Sequence, residues 1–368
     1  MSGPAPDSSE ARREIALRPG YHSPQIEVEV RLNTNESPGP PPEAFIDALA
    51  EQLRSIAFHR YPDREAKALR GALATHHGVE PDQIFCANGS NEVIQCLLLA
   101  YGGRGRAAMV FEPTYALHSH IARLTATPVV EGHRDDAFEV VPSEAARTAA
   151  IAIERHGPSS PAVSFLCSPN NPTGGVETAE TVRALLDLVP GIVVVDEAYG
   201  QFAPWSALEL IGSEPRLVVL RTFSKTWAMA GLRLGYAVAD PGVIASMSNV
   251  ALPYHLDALK QAAGRLALGF EHEMLARVAA TIEERGRVAA GLSDLTVELW
   301  PSDANFILFR VSSMDGGAVW RGLLDHSVLV RDVSDWPGLE GCLRVTIGTP
   351  SDNDRFLSAL REVLSAKR

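Results

Sequence analysis

Cysteine is scarce in this chain. The 368 residues carry four, Cys86, Cys96, Cys167 and Cys342, scattered without metal-ligand spacing. They read as buried free thiols in a reducing compartment, and no metal is expected. Positive charge is also in deficit: 33 Lys and Arg stand against 45 Asp and Glu, a net charge of −12. That weighs against nucleic acid or an anionic membrane as partner, because both need a basic surface. A local anion site needs only a few arginines and is not excluded. No apolar run approaches the ~20 residues of a membrane span; 192–195 and 96–100 are short. The first 20 residues hold Arg12, Arg13 and Arg18 but no apolar segment of a secretory signal. No internal repeat is visible. These absences describe a soluble, cytoplasmic protein.

What is present is a core-rich composition, 46% apolar and 21% charged, in a chain long enough for two domains. The Pro/Ser/Gly-rich start predicts a loose arm, and Pro38-Gly39-Pro40-Pro41-Pro42 a stiff connector. Helices are expected at 43–57 and after Tyr61-Pro62-Asp63. Between 84 and 240, short apolar strands (84–87, 107–111, 128–131, 162–167, 192–195, 217–220 and 234–239) alternate with helices (91–101, 115–125, 143–155 and 177–188). This pattern predicts an α/β fold: a mostly parallel seven-stranded sheet, covered on both faces in a large three-layer domain. A long helical stretch at 256–292 then leads to strands at 296–300, 305–309, 328–330 and 343–346. Helices at 317–326 and 352–365 interleave with them. These make a smaller α+β domain. The division is an arm over 1–42 packing on the small domain, a large domain over 43–255 and a small one over 256–368.

Ligands of such sheets sit outside the carboxyl ends of the strands, and four polar clusters fall there. Asn88-Gly89-Ser90-Asn91-Glu92 opens a helix, whose free N–H groups and dipole favour an anion; the plain alternative is an N-cap by Ser90. No Gly-Lys-Ser/Thr follows, so it is not a P-loop. Ser168-Pro169-Asn170-Asn171-Pro172-Thr173-Gly174 is a rigid turn that aims an amide, or simply a turn. Asp196-Glu197-Ala198-Tyr199 ends an apolar strand, where a carboxylate is costly without a cation or donor. A protonated pyridine nitrogen is such a partner; capping the next helix is the plain alternative. Last come Thr222, Ser224 and Lys225, with Arg233 in Gly231-Leu232-Arg233-Leu234-Gly235. Lys225 would form a Schiff base with an aldehyde cofactor, while the hydroxyls and the guanidinium would hold its phosphate. Four such clusters in order along one sheet describe a pyridoxal-phosphate site.

The same residues carry a family resemblance. Arg31-Leu32-Asn33-Thr34-Asn35-Glu36, Arg60-Tyr61-Pro62-Asp63, Glu112-Pro113-Thr114-Tyr115, Asn170-Asn171-Pro172-Thr173-Gly174, Asp196-Glu197-Ala198-Tyr199, Ser224-Lys225 and Leu343-Arg344-Val345-Thr346 together resemble the fold-type-I aminotransferases. Within them the chain is most similar to the histidinol-phosphate aminotransferases, over nearly its whole length. The resemblance implies that Lys225 binds the cofactor and shuttles a proton, and that Asp196 pairs with the pyridine nitrogen. Asn171 and Tyr199 would bind the ring oxygen and Tyr115 would stack on the ring. Ser90, Asn91, Thr222, Ser224 and Arg233 would hold the phosphate. Tyr61 would reach the neighbouring subunit's cofactor in a homodimer. Arg344 would clamp the carboxylate of the amino donor with a bidentate fork. Arg331, Tyr21 and Asn35 would complete the substrate site, for an amino donor and a 2-oxo acid.

Several positions depart from the family pattern. Ser37 replaces a second Asn, Gly39 an aromatic, and Asp257 a small hydroxyl residue, while Trp227 and Met229 are bulky after the lysine; Asp257 would favour a cationic substrate group if it faced the site, and capping the long helix is the plain alternative. These departures leave open an aromatic or specialised-metabolite aminotransferase, or a pyridoxal-phosphate decarboxylase. A non-catalytic cofactor sensor would need a DNA-binding module, and the chain has no basic segment for one.

Overall fold

The computed structural model describes residues 24–366. In chain order its first elements are β1 (Val30–Leu32), α1 (Glu43–Ser55), α2 (Lys67–His77), β2 (Ile84–Ala87), α3 (Ser90–Tyr101), β3 (Ala108–Glu112) and α4 (Leu117–Leu124). They are followed by β4 (Val129–His133), α5 (Pro142–His156), β5 (Val163–Cys167), α6 (Ala179–Leu188), β6 (Ile192–Asp196), β7 (Leu217–Thr222) and β8 (Gly235–Ala239). Seven of these strands form one sheet in the order β2-β8-β7-β6-β5-β3-β4. Every pairing from β7 to β4 is parallel, and β8 runs antiparallel to both β7 and β2.

The central strands are buried along their whole length, as expected when helices cover both faces. On one face Val194, Val218 and Phe165 pack against Leu97, Leu98 and Ile121 of α3 and α4. On the other, Val193, Val195 and Val219 pack against Ala145, Ala149, Val182 and Leu185 of α5 and α6. Each fully buried aliphatic side chain contributes roughly 1.5–3 kcal/mol, so this sheet is the rigid platform for whatever its strand ends carry.

The chain continues with α7 (Pro241–Val250), α8 (Ala258–Ala267), α9 (Glu271–Ser293), β9 (Val297–Leu299), β10 (Phe306–Val311), α10 (Gly316–Asp325), β11 (Val328–Asp332), β12 (Cys342–Thr346) and α11 (Pro350–Ser365). A second, five-stranded sheet has the order β1-β11-β12-β10-β9. Its apolar face, with Ile307, Phe309 and Val345, packs on Val288, Leu292, Leu323 and Phe356. β1 pairs parallel with β11, Val30 opposite Val328 and Leu32 opposite Val330, so the residues after Leu32 leave the second sheet and cross towards the first.

Three local readings change. The helical stretch expected at 256–292 is interrupted by a 3-10 turn at Leu268–Phe270. Gly269 is a poor helix former, and Phe270 turns its ring edge-on to Phe45, 5.8 Å away. Helix α7 was not anticipated, although Asp240 caps it and Pro241 opens it. Ser90 is not the N-cap of α3; Gly89 holds that position at φ 80°. Asp257 caps α8, accepting from the Lys260 N–H at 2.9 Å and pairing with Lys260 Nζ at 2.6 Å. Among the described residues no helix is long and apolar enough to cross a membrane.

Candidate active site

A cavity of about 220 Å³ opens at the carboxyl edge of the seven-stranded sheet. Its wall includes Ser90, Asn91, Tyr115, Asn171, Asp196, Tyr199, Thr222, Ser224, Lys225, Arg233, Asn35 and Arg344. The structure thus brings together all of the sequence-predicted site residues except three. Tyr61 is exposed away from this wall. Arg331 is not part of this wall, although it stands directly opposite Arg344 in the β11–β12 register. Tyr21 lies outside the described residues.

The anion end is built by close packing. The Gly89 turn leaves the first N–H groups of α3, from Ser90 onward, without helical partners, as at any helix start. A Cβ at Gly89 would fall 2.7 Å from Arg233 Nη2, and one at Gly235 would fall 2.4 Å from the Ser90 nitrogen. Only glycine lets β8 and the Arg233 guanidinium approach the helix start so closely. Thr222 Oγ1 donates to Ser224 Oγ at 3.0 Å, and Arg233 Nη1 donates to the same oxygen at 3.2 Å. Hydroxyls, a guanidinium and free N–H groups at one point form a donor set suited to a phosphate.

Opposite this end, Asp196 is buried at the tip of β6. Its Oδ2 lies 2.9 Å from His118 Nε2, and its Oδ1 accepts from the Ala198 N–H at 3.1 Å. His118 is itself fully buried and lies flat on Phe165 at 4.6 Å. Sequence reasoning missed this histidine. The signal was its nearness in sequence: it lies three residues after Tyr115, its N–H donates to the Tyr115 carbonyl at 3.0 Å, and the two rings meet edge-on at 5.3 Å. Tyr115 donates to Asn91 Oδ1 at 3.2 Å, which fixes the phenol over the start of α3.

Lys225 projects between the two ends. Its Nζ donates to the Thr34 carbonyl at 3.0 Å and lies 5.7 Å from the centre of the Tyr199 ring. Burial, then the Arg344 charge and to a lesser extent Arg233, against an opposing pull from Glu36, bring its ammonium pKa down to about 7. Such an amine is substantially neutral, and therefore nucleophilic, near neutral pH.

The second sheet supplies the roof. Arg344, in the middle of β12, donates to Asn171 Oδ1, and to the Asn33 carbonyl at 2.9 Å. Its guanidinium lies 5.1 Å from the centre of the Phe306 ring. Asn35 donates to Tyr199 Oη at 2.9 Å and accepts from Thr346 Oγ1 at 3.0 Å. The residues that departed from the family pattern stand elsewhere. Trp227 and Met229 are buried against Phe223 and Tyr236. Ser37 and Gly39 line a neighbouring cleft of about 350 Å³ that shares Ser224 with this cavity. Asp257 is held by Lys260 at the start of α8.

A lysine and an acid facing one cavity at the edge of a parallel sheet, with an anion seat beside them, fit a fold-type-I aminotransferase. The family model described as aminotransferase class I and II matches residues 27–360, and the chain belongs to that family. It is 47% identical over 361 residues to the histidinol-phosphate aminotransferase of Frankia casuarinae, covering 94% of this chain and 88% of that protein. Identity to the histidinol-phosphate aminotransferase of Corynebacterium diphtheriae is 44% over 362 residues, covering 96% of each. The crystal structure of the Sinorhizobium meliloti histidinol-phosphate aminotransferase in complex with pyridoxal-5'-phosphate superimposes with a TM-score of 0.83. At 24% identity, covering 93% of this chain and 92% of that one, that likeness shows the shared fold.

Proposed function

We propose that this protein is a pyridoxal-phosphate-dependent aminotransferase that converts histidinol phosphate and 2-oxoglutarate to imidazole-acetol phosphate and glutamate, a step of histidine biosynthesis. The observation that carries this reading is the convergence of Lys225, Asp196 and Arg344 on one cavity. When bound, the cofactor supplies an aldehyde carbon and an electron-accepting ring. Ser90, Asn91, Thr222, Ser224 and Arg233 would hold its phosphate. Asp196, oriented by His118, would keep a proton on the ring nitrogen. Asn171 and Tyr199 would hold the ring oxygen, and Tyr115 would cover one face of the ring. Lys225, with its pKa near neutrality, is able to take up and return a proton at Nζ within the physiological range.

Arg344 would take the donor carboxylate. Arg331 stands directly across the β11–β12 ladder from it. Two cations in that register repel, and a phosphate or carboxylate between them would relieve the repulsion, which supports a substrate with an anionic tail. Steady-state turnover of histidinol phosphate with 2-oxoglutarate tests the reading. No turnover of that pair, beside efficient turnover of a different amine, overturns the substrate assignment.

The active form is proposed to be a homodimer. Tyr61 and Tyr254 stack at 4.5 Å on a surface where Tyr61 is 79%, Phe58 74% and Leu252 75% exposed. An apolar patch of this kind marks an association face, from which Tyr61 would reach the partner's cofactor phosphate. Sedimentation of the purified protein as a monomer at assay concentration would remove this part of the proposal.

A further inference from the structure

Glu197 and Arg221 form an ion pair that does not line the cofactor cavity. Their placement follows from strand alternation. Asp196 lies opposite Leu220 in the parallel β6–β7 register, and the Glu197 N–H donates to the Leu220 carbonyl at 3.0 Å. Glu197 and Arg221 therefore leave the sheet on the face opposite to Asp196 and Thr222. Arg221 Nη2 lies 2.6 Å from Glu197 Oε2, with the two side chains 6% and 3% exposed. Ser206 closes the unit, donating to Glu197 Oε2 at 2.7 Å and accepting from Arg221 Nη2 at 2.8 Å. The Ala207 N–H donates to Glu197 Oε1 at 2.6 Å. The backbone makes room for the pair: a Cβ at Gly200 would lie 2.9 Å from Glu197 Oε2 and 3.0 Å from Arg221 Cζ.

Stability does not explain such a pair. Desolvating two charges offsets their attraction, so apolar side chains of equal volume hold a core as well or better. Arg221 Nε, moreover, is buried with no hydrogen-bond partner among the described residues. What the pair does is fix geometry. One residue before Glu197 is Asp196, and two residues after it is Tyr199. One residue after Arg221 is Thr222, followed by Ser224 and Lys225. We propose that the Glu197–Arg221 pair is a positioning clamp, which sets the spacing between the β6 end that faces the cofactor ring and the β7 end that holds its phosphate and aldehyde carbon. The clamp touches neither cofactor nor substrate and acts through the residues adjacent to it. This inference rests on the cofactor assignment made above.

The test uses the holoenzyme and the variants Arg221→Met, Glu197→Gln and Arg221→Lys. Three quantities are read: the dissociation constant of pyridoxal phosphate, the visible circular dichroism of the bound cofactor, and kcat and KM for glutamate. Arg221→Met and Glu197→Gln should weaken cofactor binding about tenfold, diminish the visible dichroism and lower kcat, with KM for glutamate little changed. Arg221→Lys, which keeps the charge, should recover most of the affinity. Folded variants with wild-type affinity and dichroism overturn the clamp. Should the charge-removing variants fail to fold, Ser206→Ala keeps both charges paired and carries the same test. It should cost roughly threefold in cofactor affinity, with reduced dichroism; unchanged values again overturn the proposal. A wild-type protein that binds the cofactor but turns over neither substrate overturns the functional reading instead. It leaves this test standing, because affinity and dichroism are read without turnover.

Discussion

The two sheets contribute to the cavity in different ways. The seven-stranded sheet delivers Asn171, Asp196, Thr222, Ser224 and Lys225 at or just beyond the ends of adjacent parallel strands, each in a short motif at its strand's end. The five-stranded sheet delivers Arg344 from the middle of a strand, and Asn35 from the segment that leaves β1. The first arrangement is local and repeated. The second exists only once β1, β11 and β12 are in register. A bound cofactor suits the rigid, repeated platform, whereas a substrate site can be varied by changing what crosses above it.

The largest effect expected falls on the platform. Lys225→Ala should lower turnover by about ten-thousand-fold or more while leaving the fold intact; multiple turnovers by that variant at a comparable rate would contradict its role. Arg344→Ala removes a buried charge from the roof. It should raise KM for glutamate by about 100-fold, measured at saturating cofactor, and a KM within a few-fold of wild type would take Arg344 out of the donor site. Arg233→Ala should raise the cofactor dissociation constant by roughly 10- to 100-fold, the worth of one charge-assisted bond. Gly89→Ala places a methyl at φ 80°, against Arg233, and should raise the same constant by roughly fivefold through backbone strain. Titration of the apoprotein with cofactor decides both.

The pH dependence separates the platform from an ordinary surface lysine. The neutral amine is the reactive form. With the Lys225 pKa at about 7, covalent capture of the cofactor by the apoprotein should fall as pH drops below 7 and level off above it. An unperturbed lysine would keep gaining rate up to about pH 10.4, so a rate still rising at pH 9 would exclude the depressed pKa. The same shift destabilises the apoprotein. Between the folded and unfolded pKa values the unfolded chain holds more protons, so this lysine's contribution to stability rises with pH from about 7 towards the unfolded pKa.

Legibility in the sequence followed the same divide. The strands of the large sheet announced themselves as short apolar runs, and the motifs at their ends bring Lys225, Asp196 and Arg233 to the wall of one cavity. For Ser90, the plain alternative of an N-cap is the reading that changes, since Gly89 holds the cap and Ser90 begins the helix. His118 was missed because its partner, Asp196, is 78 residues away, and only the fold connects them. Three-residue β1 carries too little pattern to be seen, although its pairing with β11 sends Asn33, Thr34 and Asn35 over Lys225. Trp227 and Met229, bulky after the lysine, pack against Phe223 and Tyr236, and Asp257 takes the plain alternative of capping a helix, here α8.

The separation of cofactor platform from substrate roof is tested most directly by measuring two constants on two variants. The cofactor dissociation constant and, at saturating cofactor, KM for glutamate are determined for Arg233→Ala and Arg344→Ala. The account predicts a crossed result: Arg233→Ala moves the first constant and spares the second, and Arg344→Ala does the reverse. Both variants moving both constants to the same degree would contradict it.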